Sequence, residues 1–269
     1  MKTSFLRSLF LTVVLFASAS AALAAEPLKV LMITGGCCHD YESQKKILSE
    51  GIAARANVKF DIVHEGPGPS DPKAREHMIS VYHKKDWAKG YDVVLHNECF
   101  GFVTNVAFVE GIAAPHKAGT PAVFLHCSSH SYRNAQTDAW KEAVGITSVK
   151  HDKKREFAVK TVKADHPVMK GFPADWKNPS ADELYENVKV WPNTVPLAMA
   201  YSEQSKKDHV VIWVNTYGKG KVFSTTLGHE NKTMEDPAYL DLVTRGLLWA
   251  CDKLDENGKP KKGYKAVKK

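Results

Sequence analysis

Beyond its first 25 residues the 269-residue chain has no run of ~18 consecutive apolar residues, the length a membrane-crossing helix needs. No internal repeat is present, so solenoids and propellers are excluded. Neither a CxxC pair nor an HExxH stretch occurs, so no compact zinc signature is available. Cysteine is sparse and odd in number: Cys37, Cys38, Cys99, Cys127 and Cys251. That set does not read as a disulfide framework. Cys37 and Cys38 are adjacent and expected not to bridge each other easily, and an exported chain could pair others without the sequence saying which.

What is present begins with MKTSFLRSLFLTVVLFASASAALAA, in which Lys2 and Arg7 precede an apolar core and a small-residue end. This reads as a secretory signal peptide over 1–25, cleaved near Ala24 or Ala25, which makes the mature protein periplasmic or secreted. With 43% apolar and 25% charged residues, the remainder is ordinary globular sequence, expected to be one α/β domain over 26–254. The formal charge of +7 falls to +5 without Lys2 and Arg7, and much of the excess lies in DENGKPKKGYKAVKK. Residues 255–269 therefore read as a basic, disordered tail. An exported chain meets little nucleic acid, so none is expected as a partner, nor is stable membrane insertion.

Buried-strand patterns over Leu28–Thr34, Val58–Val63, Tyr91–His96 and Pro121–His126 alternate with helical patterns over Tyr41–Arg55, Pro72–Tyr82 and Val106–Lys117. This predicts a flavodoxin-like, doubly wound, mostly parallel sheet. An irregular insertion follows, with a period-two strand over Glu156–Val162 and short apolar runs in Val188–Ser202. A hairpin about Tyr217-Gly218-Lys219-Gly220 and a helix over Pro237–Leu254 end the domain.

Ligands in such sheets bind beyond the carboxyl ends of the strands. His39, His96, His126 with His130, and His229 each follow a different expected strand end. Strand chemistry does not demand imidazole there, so the concentration points to a site. Histidines converge either for acid–base chemistry or to bind a divalent metal such as zinc, with His39, His126 and His229 the candidate ligands. Asp182, Glu183 and Tyr185 lie in the insertion where a loop can reach the rim. Asp40 and Glu230 each adjoin a rim histidine, where a carboxylate can orient the ring. Trp176 and Trp191, flanked by loop residues, are the candidates for stacking on a sugar.

Taken together, MITGGCCHDY, VFLHCSSH, DHPVMKGFPADW followed by DELY, and YGKGKVFSTTLGH with PAYLDLVTRGLLWA resemble the trehalose-utilisation (ThuA-like) family, whose fold is that of class I glutamine amidotransferases. The resemblance implies carbohydrate metabolism, with a disaccharide or keto-glycoside as small-molecule substrate. It carries over His39, His126, Asp182, Glu183 and His229 as catalytic positions, with His96, His130, Tyr185 and Trp176 expected to bind substrate. At the amidotransferase elbow it places His126 rather than Cys127, which argues against a glutaminase and makes Cys127 a small buried thiol. The chemistry implied is that of a sugar hydrolase, lyase or isomerase. A non-catalytic sugar-binding module and a cysteine hydrolase using Cys127 are the alternatives.

Overall fold

The computed structural model describes residues 25–267; the expected signal peptide, up to residue 24, lies outside the described residues. In chain order the elements are β1 (Leu28–Gly36), α1 (Tyr41–Ala53), β2 (Val58–His64), β3 (Val93–Cys99), α2 (Val106–Ala118), β4 (Ala122–Leu125) and α3 (Ala139–Val144). There follow β5 (Ile146–His151), β6 (Lys160–Thr161), β7 (Tyr185–Val190), β8 (Val195–Ser202), β9 (Lys207–Tyr217), β10 (Gly220–Thr225), α4 (Asn231–Glu235) and α5 (Pro237–Ala250).

Eight strands form one sheet in the order β2-β1-β3-β4-β10-β9-β8-β6. The pairings from β2 to β10 are parallel, and β9, β8 and β6 extend the sheet antiparallel. The fold is thus α/β and doubly wound, as expected. Because side chains alternate along a strand, Val30 and Met32 of β1 pack on Leu48, Ile52 and Leu247 of α1 and α5, while Leu31 and Ile33 pack on the layer of Val109, Ile112 and Trp140. Both faces of β1 are covered, which explains its unbroken apolar sequence.

Three local expectations are corrected. Residues 72–82 make two short 3₁₀ turns, Pro72–Arg75 and Ser80–His83, rather than a helix, each too short to carry an apolar face. Of the strand expected over Glu156–Val162 only β6 pairs in the sheet. The described part of the basic segment after Leu254, residues 255–267, is not frayed: the Tyr264 carbonyl accepts from the Asn57 backbone amide at 3.0 Å, Lys265 bridges Ala56, and the Tyr264 ring packs partly buried on the core. One aromatic and two turn glycines, Gly258 and Gly263 with positive φ, suffice to fold the lysine-rich stretch back.

β5 and β7 form a separate antiparallel ribbon in which His151 pairs with Tyr185. This ribbon delivers the insertion's polar residues to the carboxyl edge of the large sheet. Among the described residues no helix is long and apolar enough to cross a membrane.

Candidate functional site

Three strand ends converge as expected. β1 closes with Gly35 and Gly36 at positive φ, and a Cβ on Gly36 would run into the Cys99 carbonyl, so the turn to His39 needs glycine. His126 follows β4 at φ 42°, a left-handed conformation that is strained for most side chains and turns the ring out of the strand. Ser128 braces this elbow, accepting from the Leu125 amide at 3.0 Å and donating to the His96 carbonyl at 2.8 Å. After β10, Gly228 at φ 105° swings His229 inward.

The ring of His39 lies 4.8 Å from that of His126 and 4.6 Å from that of His229, edge-on to both. His126 Nδ1 donates to the Thr226 carbonyl at 2.6 Å, which leaves Nε2 facing the site. That Nε2 is 3.3 Å from His229 Nδ1, 3.3 Å from the Tyr185 hydroxyl and 3.5 Å from Glu183 Oε2. Glu183 Oε2 is also 3.3 Å from His229 Nδ1, and its Oε1 is 3.4 Å from His151 Nε2. One carboxylate therefore faces three imidazoles.

Electrostatics separate these groups. Burial opposes charge on His126, but its hydrogen bond to Glu183 and the negative charges of Asp182 and Glu183 raise its pKa above the ordinary histidine value. Burial, and then the positive charge on His126 and His229, hold His39 well below it. Burial also opposes ionisation of Glu183, yet hydrogen bonds from His126 and His229 keep its carboxyl well below the usual carboxylate range. His39 is buried and, among the described residues, neither of its ring nitrogens has a hydrogen-bond partner.

Asp182, adjacent in sequence, has a different role. Its carboxylate is fully buried and accepts from the backbone amides of Gly228 at 3.0 Å, His229 at 3.1 Å and Glu183 at 2.8 Å. It positions His229 and Glu183 rather than facing the open site. His130 stacks on Tyr185 with ring centroids 3.9 Å apart and is within 2.8 Å of the Ser148 hydroxyl. Of the two neighbouring carboxylates, Glu230 lies 3.4 Å from His229 Nε2, whereas Asp40 caps α1 at Ser43.

Two clefts meet here. One of about 830 Å³ is bordered by His229, Glu230 and Lys154, the other of about 260 Å³ by Glu183, Tyr185 and His130; Cys38 and His39 border both. Lys154, 2.7 Å from Glu230, and His151 were missed in the sequence because nothing local marks a loop residue that folds over another strand's end.

Three expected site residues are elsewhere. Trp176 donates its indole N–H at 3.0 Å to Asp236, the N-cap of α5, packs in the core beside Phe172 and borders neither cleft, so it steadies that cap instead of meeting a sugar. Trp191 likewise borders neither, its indole donating to Thr147 at 3.2 Å. His96 lies within β3, which runs on to Cys99, so the ring points into the closed layer beneath and is fully buried. There a tautomer chain follows from the carbonyl at its end. Thr120 O accepts from His116 Nδ1 (3.0 Å), so His116 Nε2 accepts from His96 Nε2 (3.0 Å), and His96 Nδ1 is left as an acceptor facing Glu98 Oε1 (3.0 Å) and the Tyr82 hydroxyl (3.2 Å). Burial agrees, lowering both histidines to about 3 and raising Glu98 well above the ordinary carboxyl value.

The linkage sign is definite. Between the unfolded values of 6.5 and 4.5, unfolding adds a proton at each histidine and removes one at Glu98. The net uptake of one proton means that these three groups together lose about 1.4 kcal/mol of stability per pH unit of acidification. In Glu98→Gln the carboxamide still donates to His96, and the acid loss should steepen by about 1.4 kcal/mol per pH unit, measured by denaturant unfolding across that range.

The cysteines also differ from expectation. Cys37 and Cys38 are joined to each other, and Cys99 is joined to Cys127, tying the end of β3 to the elbow. The adjacent pair is compatible with the left-handed backbone of Cys38, φ 81°. Cys127 is therefore a disulfide sulfur and not a buried thiol, and as such it has no thiolate with which to act as a hydrolase nucleophile.

The sequence model of the ThuA family, described as trehalose utilisation, matches residues 29–250. The chain belongs to the ThuA family. No curated protein matches it. A ThuA-like protein from Parabacteroides merdae superposes with a TM-score of 0.67 at 17% identity, over 88% of this chain and 98% of that one. Another, from Bacteroides uniformis, gives 0.59 at 17% identity over 90% and 98%. A cytoplasmic protein from Salmonella typhimurium LT2 gives 0.51 at 11% identity over 83% and 99%. These likenesses concern the fold, while membership of the ThuA family supports a role in carbohydrate metabolism.

Proposed function

We propose that the protein is an exported enzyme of carbohydrate metabolism that acts on a disaccharide or keto-glycoside by histidine–carboxylate acid–base chemistry. The observation that carries this reading is the convergence of His39, His229 and Glu183 on the walls of two adjoining clefts, with the buried ring of His126 directly behind them, its Nε2 3.3 Å from His229 Nδ1 and 3.5 Å from Glu183 Oε2. His39 and His126 are close neighbours driven in opposite directions, and such pairs assign base and acid. Neutral His39 takes a proton from the substrate; His126, charged through Glu183, gives one to the leaving oxygen or enolate. The Thr226 carbonyl and Asp182 hold the rings in place.

A second reading comes from the unpartnered nitrogens of His39. The ligand atoms of His39, His126 and His229 all lie within 4.8 Å of one another, and three neutral imidazoles suit a divalent metal such as zinc. The Thr226 carbonyl would orient His126 as a ligand's outer partner does. Such a metal would polarise a substrate oxygen.

Incubating the mature protein with a panel of disaccharides and their keto forms, before and after chelation with metal analysis, tests both. Turnover that survives chelation supports the acid–base pair. Stoichiometric metal with turnover lost on chelation supports the metal. If His126→Asn and His39→Gln, both folded, retain full turnover on every substrate the wild type processes, both readings fail.

A further inference from the structure

The smaller cleft has a charge pattern that acid–base chemistry does not use. Arg75 and Arg133 both border it, each guanidinium lying against the Phe102 ring, 5.2 and 6.0 Å from its centroid. Arginine ion pairs among the described residues belong to Arg55 and Arg155, so neither of these two has a carboxylate partner. Arg75 turns its Nε and one terminal nitrogen to the Cys37 and Cys38 sulfurs, at 3.3 and 3.5 Å. Lys150, on the same wall, is bound to Glu186 at 3.0 Å. Glu183 is the acid of this cleft, and it is committed to His126, His229 and His151.

Arg75 is exposed and Arg133 half-buried, and Arg133 has its pKa lowered by burial and by the charge of Arg75. Gly101 leaves room for this, since a Cβ there would meet Arg133 Cζ at 3.4 Å. The unneutralised fork of Arg133, with the charge and remaining terminal nitrogen of Arg75 on the same cleft, matches an oxyanion.

We propose that this cleft is an anion subsite, and that the sugar it admits carries an acidic group, a carboxylate or a phosphate, held by Arg75 and Arg133. The proposal rests on the reading of the joined clefts as a sugar site. The acidic group is fixed by the arginines while the ring to which it belongs reaches His39 and Glu183, which border the same cleft.

Calorimetric titration of the mature protein with D-glucuronate, D-glucose 6-phosphate, inorganic phosphate and D-glucose tests it. The wild type should bind one of the acidic sugars at least tenfold more tightly than glucose, and which of the two binds identifies the oxyanion. Charge-assisted hydrogen bonds of this kind predict that Arg75→Gln and Arg133→Gln each weaken that binding about 10- to 100-fold while glucose is unaffected. His126→Asn should keep the preference, so a failure of the acid–base reading leaves this result intact. Should Arg133→Gln not fold, Arg133→Lys replaces it, keeping the charge but losing the fork, with a smaller loss expected. Equal affinity for glucose and both acidic sugars, binding of inorganic phosphate alone, or an acidic preference unchanged in the folded arginine variants overturns the proposal.

Discussion

Replacing His126 with asparagine is expected to leave a folded protein whose turnover of its sugar substrate falls by ~10²- to 10⁴-fold, the range for losing a positioned proton-transfer group. Asparagine is the informative choice because the position has φ 42°. Asn tolerates the left-handed region, whereas alanine there adds backbone strain to the loss of the ring. Glu183→Gln should reproduce much of the loss, since the carboxamide keeps the shape but removes the charge that raises the pKa of His126. The pH profile separates the two roles. With Glu183 gone, His126 loses its charged form at a lower pH, and the alkaline limb of the rate should move down. Steady-state turnover across pH with the most active substrate of the panel checks this; an unchanged alkaline limb in Glu183→Gln would refute the assignment of His126 as the acid.

The second large effect is one of stability. Asp182→Ala should lower unfolding stability by about 4 kcal/mol, because the amides of Gly228, His229 and Glu183 would lose their shared acceptor in a buried setting, each such loss costing about 1–3 kcal/mol and not adding fully. Asp182→Asn, which keeps one acceptor oxygen, should cost less. Glu183→Gln, one residue along, keeps the shape of the side chain and leaves no backbone amide without an acceptor, so it should cost less stability than Asp182→Ala while removing activity. Chemical denaturation of the three variants, alongside their turnover, distinguishes a positioning carboxylate from a reacting one. Equal stability losses at 182 and 183 would erase the distinction.

These adjacent carboxylates illustrate how far DELY could be read. Position in an insertion near the rim was legible, but which oxygen meets a histidine and which meets three amides depends on the path of the ribbon formed by β5 and β7. His96 shows the same limit at a strand. Its pattern stopped at a polar residue, so it looked like a strand end, whereas β3 continues through His96, Asn97 and Glu98 because those polar groups find partners inside the fold. Trp176 was exposed by its loop sequence and buried by Asp236, sixty residues away. Arg75 and Arg133 carried no mark of convergence, because they come from different loops that meet only at the cleft.

What the amino-acid order determined alone was local: the apolar runs of parallel strands, the glycine turns that precede His39 and His229, and the placement of His126 directly at the end of its strand. Periodicity and backbone preference act within a few residues, so they are written in the chain where they operate. The tertiary structure alone decided the pairing of the four sulfurs, the folding back of the basic segment and the burial of His96. It alone divided the work between Asp182 and Glu183. Each of those outcomes is set by which distant groups share a buried space, where an unpaired polar atom is costly and a neighbouring charge acts strongly, and neither partner's sequence names the other.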